Sequence, residues 1–148
     1  MSVTKLQLIG LNIHQWLYEK TGGRFGQSLG KLKALLLYTT GAKTGIERCS
    51  ALVYAMDGDH RYLVVGSNGG NEKTPGWVAN ARKQPNVEIQ IGRDRRKATA
   101  AIVLPDDADY ERLWEIVNET NRYKDGGRYA HYQTLTSRPI PVVVLTDA

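Results

Sequence analysis

Six short apolar segments, bounded by glycine turns or prolines, most limit the folds open to this 148-residue chain. Two connections, Asp57-Gly58-Asp59 and Gly92-Arg93-Asp94, are short glycine turns of the kind that joins antiparallel strands. Short strands joined in this way predict a small β-barrel. The predicted strands span residues 33–40, 48–56, 62–67, 87–92, 97–104 and 140–146.

Two short helices are predicted between these strands, where the apolar spacing changes to three or four residues. The first begins at Thr74-Pro75 and ends near Pro85, and the second begins after Pro105 with Asp106 as the capping residue. Strands and helices together predict a mainly β, α+β domain over residues 35–148.

Residues 1–34 carry a different pattern. Apolar side chains recur at helical spacing between residues 5 and 18, which predicts an N-terminal amphipathic helix followed by a glycine-rich basic connector. We expect the helix to pack on the domain; the alternative is peripheral membrane contact beside Lys5, Lys20 and Arg24. The chain shows no signal-peptide pattern and no run approaching ~20 apolar residues, so a cytoplasmic protein is expected, with membrane association as the alternative.

The charge pattern narrows the class of partner. A formal charge of +5 and a pI near 9.4 favour an anionic small molecule, an acidic surface or nucleic acid. The basic run over residues 93–97 contains no aromatic residue, so no nucleic-acid partner is expected.

The single cysteine, Cys49, excludes an internal disulfide and is interpreted as a small core residue. The three histidines lack metal-ligand spacing, so no metal is predicted.

The segment L-L-L-Y-T-T-G-A-K-T-G-I-E-R, residues 35–48, carries a buried strand into a glycine turn with two cations. Gly41 and Gly45 allow backbone amides to turn toward a ligand, while Lys43 and Arg48 add charge and forked donors. This pattern indicates a cradle for a phosphate or a carboxylate cluster. The alternative is a solvated basic turn without a ligand, since the spacing matches no Walker motif.

A second polar glycine loop, V-V-G-S-N-G-G-N-E-K-T-P-G-W over residues 64–77, connects a strand to a helix N-terminus. Backbone N–H groups there, with the side chains of Ser67 and Asn68, favour an anion or a heterocycle with carbonyl oxygens. A flavin-like ring fits because its reduced form gains negative charge, which such donors stabilise. Trp77 either flanks the ring or belongs to the core.

Three tyrosines, Tyr123, Tyr129 and Tyr132, precede the last strand. Phenols can close an apolar cavity over a planar substrate and donate a proton or hydrogen bond to an oxygen that gains charge. The alternative is a loop that packs these rings on the barrel. His131 has no carboxylate at a supporting spacing and is interpreted as structural or solvated.

Three motifs occur in order, with strands between them: T-T-G-A-K-T-G-I-E-R, G-S-N-G-G-N-E-K-T-P-G-W and Y-A-H-Y-Q-T-L-T-S-R-P-I-P. This arrangement resembles the deazaflavin (coenzyme F420)-dependent nitroreductase family of actinobacteria, which are F420H2-dependent reductases. The likeness covers nearly everything after Leu35. It implies a split β-barrel of about six antiparallel strands, coenzyme F420 as cofactor, and hydride delivery to a small-molecule acceptor.

The resemblance also implies site residues. Those implied for the phosphate and acidic tail are Ala42, Lys43, Thr44 and Arg48. Those implied to line the cofactor by backbone are Cys49, Ser50, Ala51, Leu52 and Val53. Those implied for the ring and linker are Val65, Gly66, Ser67, Asn68, Gly76, Trp77, Val78, Ala79 and Asn80. Family members often have Lys where Asn68 stands. Tyr129 and Tyr132 match substrate-side tyrosines, and Tyr129 is also assigned to the cofactor.

The expected reaction is hydride transfer from reduced deazaflavin to an activated alkene, lactone or quinone, with the reacting atoms roughly 3–3.5 Å apart. A tyrosine of nitroimidazole-reducing members aligns with Gly126, so enone, lactone or quinone reduction is expected ahead of nitro reduction. Ser67 and Tyr129 are the candidate donors to the developing oxygen charge, with Tyr132 beside them. Two alternatives stay open: an FMN-binding split-barrel oxidoreductase, and a non-enzymatic deazaflavin carrier. The sequence leaves the acceptor and the oligomeric state open.

Overall fold

The computed structural model describes residues 28–29, 32–122 and 126–147. The predicted N-terminal helix, the membrane contact inferred from it, and Tyr123 lie outside these residues. The strands are β1 Ser28–Leu29, β2 Leu32–Thr40, β3 Glu47–Val53, β4 Ala55–Met56, β5 Arg61–Val65, β6 Asn86–Ile91, β7 Asp94–Val103 and β8 Val142–Asp147. The helices are α1 Gly76–Lys83, α2 Tyr110–Thr120 and α3 Arg128–Gln133.

The strands form one antiparallel sheet in the order β1-β2-β6-β7-β8-β5-β4, with β3 paired to β2. Strand β3 lies beside β2 and strand β4 lies at the far end of this order, yet Tyr54 alone separates β3 from β4 in the chain. The sheet therefore curls into a half-barrel. The mainly β, antiparallel prediction is confirmed, and all six predicted strands are present.

The second predicted strand is broken at Tyr54. The Tyr54 N–H donates to the Lys33 carbonyl at 3.0 Å, whereas the next residue, Ala55, pairs with Leu63 of β5. The chain thus changes partner strand at this residue, which no local sequence pattern reveals. Both predicted glycine turns do form hairpins, with left-handed φ angles of +85° at Gly58 and +62° at Gly92.

The core lies on both faces of the sheet because side chains alternate along each strand. The inner face holds Val143 and Leu145 of β8 together with Trp77, Val78 and Ala81 of α1. The outer face of the same strand carries Val142 and Val144, which α2 and α3 cover with Leu113, Val117 and Tyr129. Helix α1 thereby closes the inner core, and α2 and α3 shield the outer one.

Two helix predictions need correction. Helix α2 begins at Tyr110 rather than after Asp106, because the Asp107 side chain accepts the Asp109 N–H at 2.9 Å and holds a local turn. Helix α3 lies where no helix was predicted and a loop was the alternative. Its first turn depends on a tertiary contact, since the Asn118 side chain accepts the Ala130 N–H at 2.8 Å. The described part of the chain contains no helix that is long and apolar enough to cross a membrane.

Candidate functional site

The first predicted site segment is the glycine turn over residues 41–46, between β2 and β3. The Gly41 N–H donates to the Ile46 carbonyl and the Gly45 N–H donates to the Gly41 carbonyl, both at 2.8 Å. A Cβ atom at Gly41 would lie 2.5 Å from the Thr44 hydroxyl oxygen, so the turn closes only with glycine there. Lys43 and Thr44 are exposed on this fixed turn.

Helix α1 holds the turn in place. The Asn80 side-chain carbonyl accepts the Ala42 N–H at 2.8 Å, and its amide donates to the Thr39 hydroxyl at 3.2 Å. The Lys83 ammonium donates to the Ala42 carbonyl at 2.7 Å. Asn80 was among the predicted site residues, whereas Lys83 was missed. In the sequence Lys83 looks like an ordinary cation in the last turn of a helix.

The cations around this turn differ from five arginines elsewhere in the protein. Ion pairs with carboxylates engage Arg61, Arg95, Arg96, Arg112 and Arg122. By contrast, within residues 32–122 and 126–147 no ion pair involves Lys43, Arg48, Arg82 or Lys83. Their positive charge is therefore not neutralised by the protein, and it favours an anionic ligand at the turn and the adjacent helix end.

Strand β3 carries the second group of predicted residues, Cys49 to Val53. In the described part of the chain β3 pairs with β2 as its one partner strand. Its side chains are half-buried: Leu52 packs against the inner core, and Cys49 and Ala51 pack against Leu36 and Tyr38. Cys49 thus lies in an apolar cluster, as interpreted from the sequence.

The loop after β5 has a backbone suited to anions. Ser67 is right-handed, with φ −81° and ψ −32°, and the next three residues have left-handed φ angles of +47°, +63° and +84°. A right-handed residue followed by a left-handed one directs successive N–H groups into a concavity known as a nest. Asn68 tolerates this conformation, and its side-chain amide donates to the Lys73 carbonyl at 2.9 Å. Its role in the loop is a physical reason for Asn at this position.

This loop packs directly on α1. A Cβ atom at Gly66 would lie 2.8 Å from Val78 Cγ2 and 2.9 Å from Pro141 Cγ, so only glycine allows the approach. The structure therefore brings Gly66 and Val78 together. Trp77 is 7% exposed and belongs to the inner core, the alternative considered from the sequence. Its helix neighbours Gly76 and Ala79 are exposed.

Arg138 binds the same loop on the side opposite to the nest. Its guanidinium donates to the carbonyls of Gly66 at 3.1 Å, Ser67 at 2.9 Å and Asn71 at 2.9 Å. Burial lowers the pKa of Arg138 relative to its ordinary value. Arg138 belongs to the motif Y-A-H-Y-Q-T-L-T-S-R-P-I-P, which indicates no role for it because 72 residues separate it from Gly66. Only the fold joins them.

Helix α3 carries the two predicted substrate-side tyrosines. Tyr129 is 8% exposed, and its ring centroid lies 6.3 Å from that of Tyr132 in an edge-to-face arrangement. The Tyr129 oxygen accepts the Asn121 side-chain amide at 3.4 Å, and the Tyr132 oxygen accepts Arg128 at 3.3 Å. Burial is the main cause of a raised pKa for Tyr129, partly opposed by the Asn121 hydrogen bond. The phenol therefore remains protonated at neutral pH.

Contacts connect α3 to the other segments. A Cβ atom at Gly70 would lie 3.0 Å from the Tyr132 carbonyl oxygen and 3.0 Å from the Leu135 side chain. The glycine turn, α1, the loop over residues 66–71 and α3 thus form one continuous set of contacts. Three motifs that are distant in sequence are therefore linked through successive contacts.

Comparison with known proteins identifies the family. The profile of the F420H(2)-dependent quinone reductases matches residues 11–147. The chain belongs to this family. An F420H(2)-dependent quinone reductase of Mycobacterium tuberculosis is 51% identical over 137 residues, which cover 92% of this chain and 89% of that relative. The resemblance inferred from the motifs is confirmed. The family consists of oxidoreductases that use reduced coenzyme F420 as hydride donor, the expected cofactor.

Solved structures give the same relationship. A structure of an F420-H2 dependent reductase, FDR-A, is 33% identical with a TM-score of 0.63, and covers 76% of this chain and 92% of its own. A structure described as a domain-swapped dimer is also 33% identical, with a TM-score of 0.64 over 76% of this chain and 78% of its own. The haem storage protein HutZ of Vibrio cholerae shares the fold alone, at 16% identity and TM-score 0.59 over 78% of this chain and 81% of its own.

Proposed function

We propose that this chain is an F420H2-dependent reductase that delivers hydride to a quinone, or to an activated alkene or lactone of similar shape. One observation carries the proposal: a turn with unneutralised cations, an amide nest and two buried or half-buried tyrosines meet in one set of contacts. The relatives named as quinone reductases make a quinone the first acceptor to test. Nitroimidazole reduction is not part of the proposal.

The residues of the site fit the chemistry of F420. The cofactor carries a phosphate and an acidic tail, which Lys43, Thr44 and Arg48 bind, with Lys83 beside them. Within the described residues no ion pair neutralises these cations, which suits the binding of an acidic tail. The nest over residues 67–69 offers N–H donors to ring oxygens.

The chain itself supplies positioning and donors. Bound F420H2 supplies a hydride in a two-electron step. The N–H groups of the nest and the Ser67 hydroxyl stabilise negative charge on the ligand side, where Ser67 is 7% exposed. The Tyr129 oxygen accepts a hydrogen bond from Asn121, so its own proton remains available to an acceptor oxygen. Tyr129 and Tyr132 also exclude water through their packing.

We also propose the finer architecture. Residues 35–148 form a closed split β-barrel in which the bent strand β3–Tyr54–β4 joins the two ends of the sheet order. Two copies associate, in line with the dimeric structural relative. Size-exclusion chromatography with light scattering tests the association, and a mass of about one chain of 16.5 kDa would contradict it.

The test of function is an equilibrium titration with F420 and, separately, with FMN, followed by anaerobic mixing of the reduced F420 complex with menadione and an α,β-unsaturated lactone. We expect tighter binding of F420 than of FMN and reoxidation that depends on the acceptor. Tighter binding of FMN would overturn the cofactor assignment. Binding of F420 without reoxidation by any acceptor would instead indicate a carrier.

A further inference from the structure

We propose that Arg138 is a positioning residue of the site: it holds the loop over residues 66–71 and directs the N–H groups of Ser67 and Asn68 toward the ligand. The choice of ligand rests on the proposed function, whereas the effect on the loop does not. The sequence motifs gave Arg138 no role, and the side chain approaches the loop from the side opposite to the nest.

The contact geometry is specific to a guanidinium. Three donor atoms of Arg138, Nε, Nη1 and Nη2, each bind a different carbonyl, those of Asn71, Gly66 and Ser67. All three distances lie between 2.9 and 3.1 Å. A planar fork of fixed N–H directions can satisfy three carbonyls at once, whereas the ammonium of a lysine is a single point of charge.

The direction of the amides follows from peptide geometry. The carbonyl of Gly66 and the N–H of Ser67 belong to one peptide group, and in a trans peptide they point in opposite directions. The same holds for the carbonyl of Ser67 and the N–H of Asn68, and no cis peptide is present in the described chain. Because Arg138 binds the carbonyls of Gly66 and Ser67, the N–H groups of Ser67 and Asn68 point away from its guanidinium. Neither N–H donates to another residue in the described part of the chain.

The charge of Arg138 adds to this effect. Arg138 takes part in no ion pair with a carboxylate in residues 32–122 and 126–147. A cation on the carbonyl side of a peptide polarises it and makes its N–H a stronger donor. The nest therefore presents a more positive surface to a ligand that gains negative charge.

Arg138 is itself held by helix α3, which carries the tyrosines. The Gln133 side chain donates to the Arg138 carbonyl at 2.8 Å and accepts the Ile140 N–H at 3.1 Å. Gln133 is the last residue of α3, which also carries Tyr129 and Tyr132. Arg138 thus fixes the spacing between the donors of the loop and the phenols of the helix. Catalytic rates are sensitive to such spacing.

Arg112 provides a matched control. Its guanidinium also joins distant segments, since it binds Asp57 in the β4–β5 turn and Asp109 before α2. It is an ion-pair clamp whose partners, Asp57 and Asp109, do not belong to the proposed site. Loss of Arg112 therefore reports what removal of a structural clamp does without any effect on the nest.

The experiment compares Arg138→Met, Arg138→Lys and Arg112→Met with wild type by three measurements. Hydrogen–deuterium exchange of the ligand-free proteins reports on residues 66–71, fluorescence titration gives the F420 Kd, and steady-state kinetics give kcat and the acceptor KM. For Arg138→Met we expect faster exchange in that segment, an F420 Kd raised about tenfold and kcat lowered ~100-fold. Arg138→Lys should fall between wild type and Met, and Arg112→Met should change exchange only near Asp57.

Two results would overturn the inference. One is unchanged exchange over residues 66–71 in a folded Arg138→Met protein. The other is an Arg112→Met protein that loses F420 affinity and kcat as much as Arg138→Met, which would make Arg138 a general structural clamp. If Arg138→Met fails to fold, Arg138→Lys carries the test. Failure of wild type to bind F420 would contradict the proposed function, and the exchange data on ligand-free protein would still decide the role of Arg138.

Discussion

The side-chain carbonyl of Asn80 accepts the backbone N–H of Ala42 at 2.8 Å, so helix α1 and the glycine turn form one unit. The Asn80 amide also binds the Thr39 hydroxyl, which extends the contact to the end of β2. Two segments that the sequence proposed separately for the tail and for the ring are thereby joined through one side chain. The proposed binding of one cofactor to both segments is consistent with this contact.

Removal of the Asn80 side chain should loosen this unit. In Asn80→Ala the Ala42 N–H loses its partner, and we expect the protein to lose about 1 kcal/mol of unfolding free energy. The F420 Kd should rise several-fold because the turn loses its fixed position. Urea unfolding and fluorescence titration check both values. Asn86→Ala, at an exposed position of β6, is the control, and an equal rise of Kd there would contradict the assignment.

The cations of the turn should act through charge. In Lys43→Ala with Arg48→Ala we expect the F420 Kd to rise roughly tenfold or more, because charge-assisted hydrogen bonds to a phosphate are lost. The dependence of Kd on salt should also become weaker. Titration at several salt concentrations measures this. Arg93→Ala removes an exposed cation from the β6–β7 turn and should leave the Kd and its salt dependence unchanged. A similar loss of affinity in Arg93→Ala would indicate that binding depends only on the net charge of the protein.

The substitution Gly76→Ala can separate an effect on stability from an effect on ligand binding. A Cβ atom at this first residue of α1 would meet nothing within 4 Å. Alanine should therefore stabilise the ligand-free protein by about 0.4–1 kcal/mol, since it restricts the unfolded chain. If the linker of the cofactor lies against Gly76, the same change should raise the F420 Kd. A more stable protein with an unaltered Kd would remove Gly76 from the binding site.

Tyr129 should donate a proton or hydrogen bond over a wide pH range. Its raised pKa means that the phenol keeps its proton as pH rises through the ordinary range of tyrosine, so kcat should not fall before that range. Tyr129→Phe should lower kcat by ~10²-fold and leave the F420 Kd nearly unchanged. Stopped-flow reoxidation across pH provides the measurement, with Tyr54→Phe as a core control. A small loss of kcat would reduce Tyr129 to a packing role.

Asp147 should govern stability in acid. Its carboxylate is 1% exposed, and burial opposes ionisation. Hydrogen bonds from Arg96, His60 and Tyr62 outweigh burial, so the pKa lies below its ordinary value of 3.8. A lowered folded-state pKa stabilises the protein above the unfolded-state pKa, and this contribution is lost as pH falls through the folded-state pKa.

Asp147→Asn should therefore lower the unfolding free energy at pH 7 by roughly 1–3 kcal/mol, at the lower end because Arg96 is partly exposed. It should also flatten the pH dependence below about pH 4. Urea unfolding at pH 7 and pH 3 tests both. Asp94→Asn removes the exposed partner of the same arginine and should cost under about 1 kcal/mol. Equal losses of unfolding free energy in the two variants would show that the burial of Asp147 does not strengthen its contribution to stability.

Strand periodicity, glycine turns and three ordered motifs were enough to predict the antiparallel sheet, its hairpins, α1 and the family. These features are local, since alternation and turn chemistry act within a few residues. Local chemistry also marked Gly45 and Asn68, whose left-handed backbone only glycine or an amide-bearing residue adopts at little cost.

Tertiary structure decided the rest. The break at Tyr54, the start of α2, the existence of α3 and the position of Trp77 in the core depend on partners distant in the chain. Lys83 and Arg138 reach carbonyls 41 and 72 residues away, and their residue types give no indication of these contacts. A side chain acquires such a role only when folding brings a distant backbone group within hydrogen-bonding distance, and no local pattern encodes that distance.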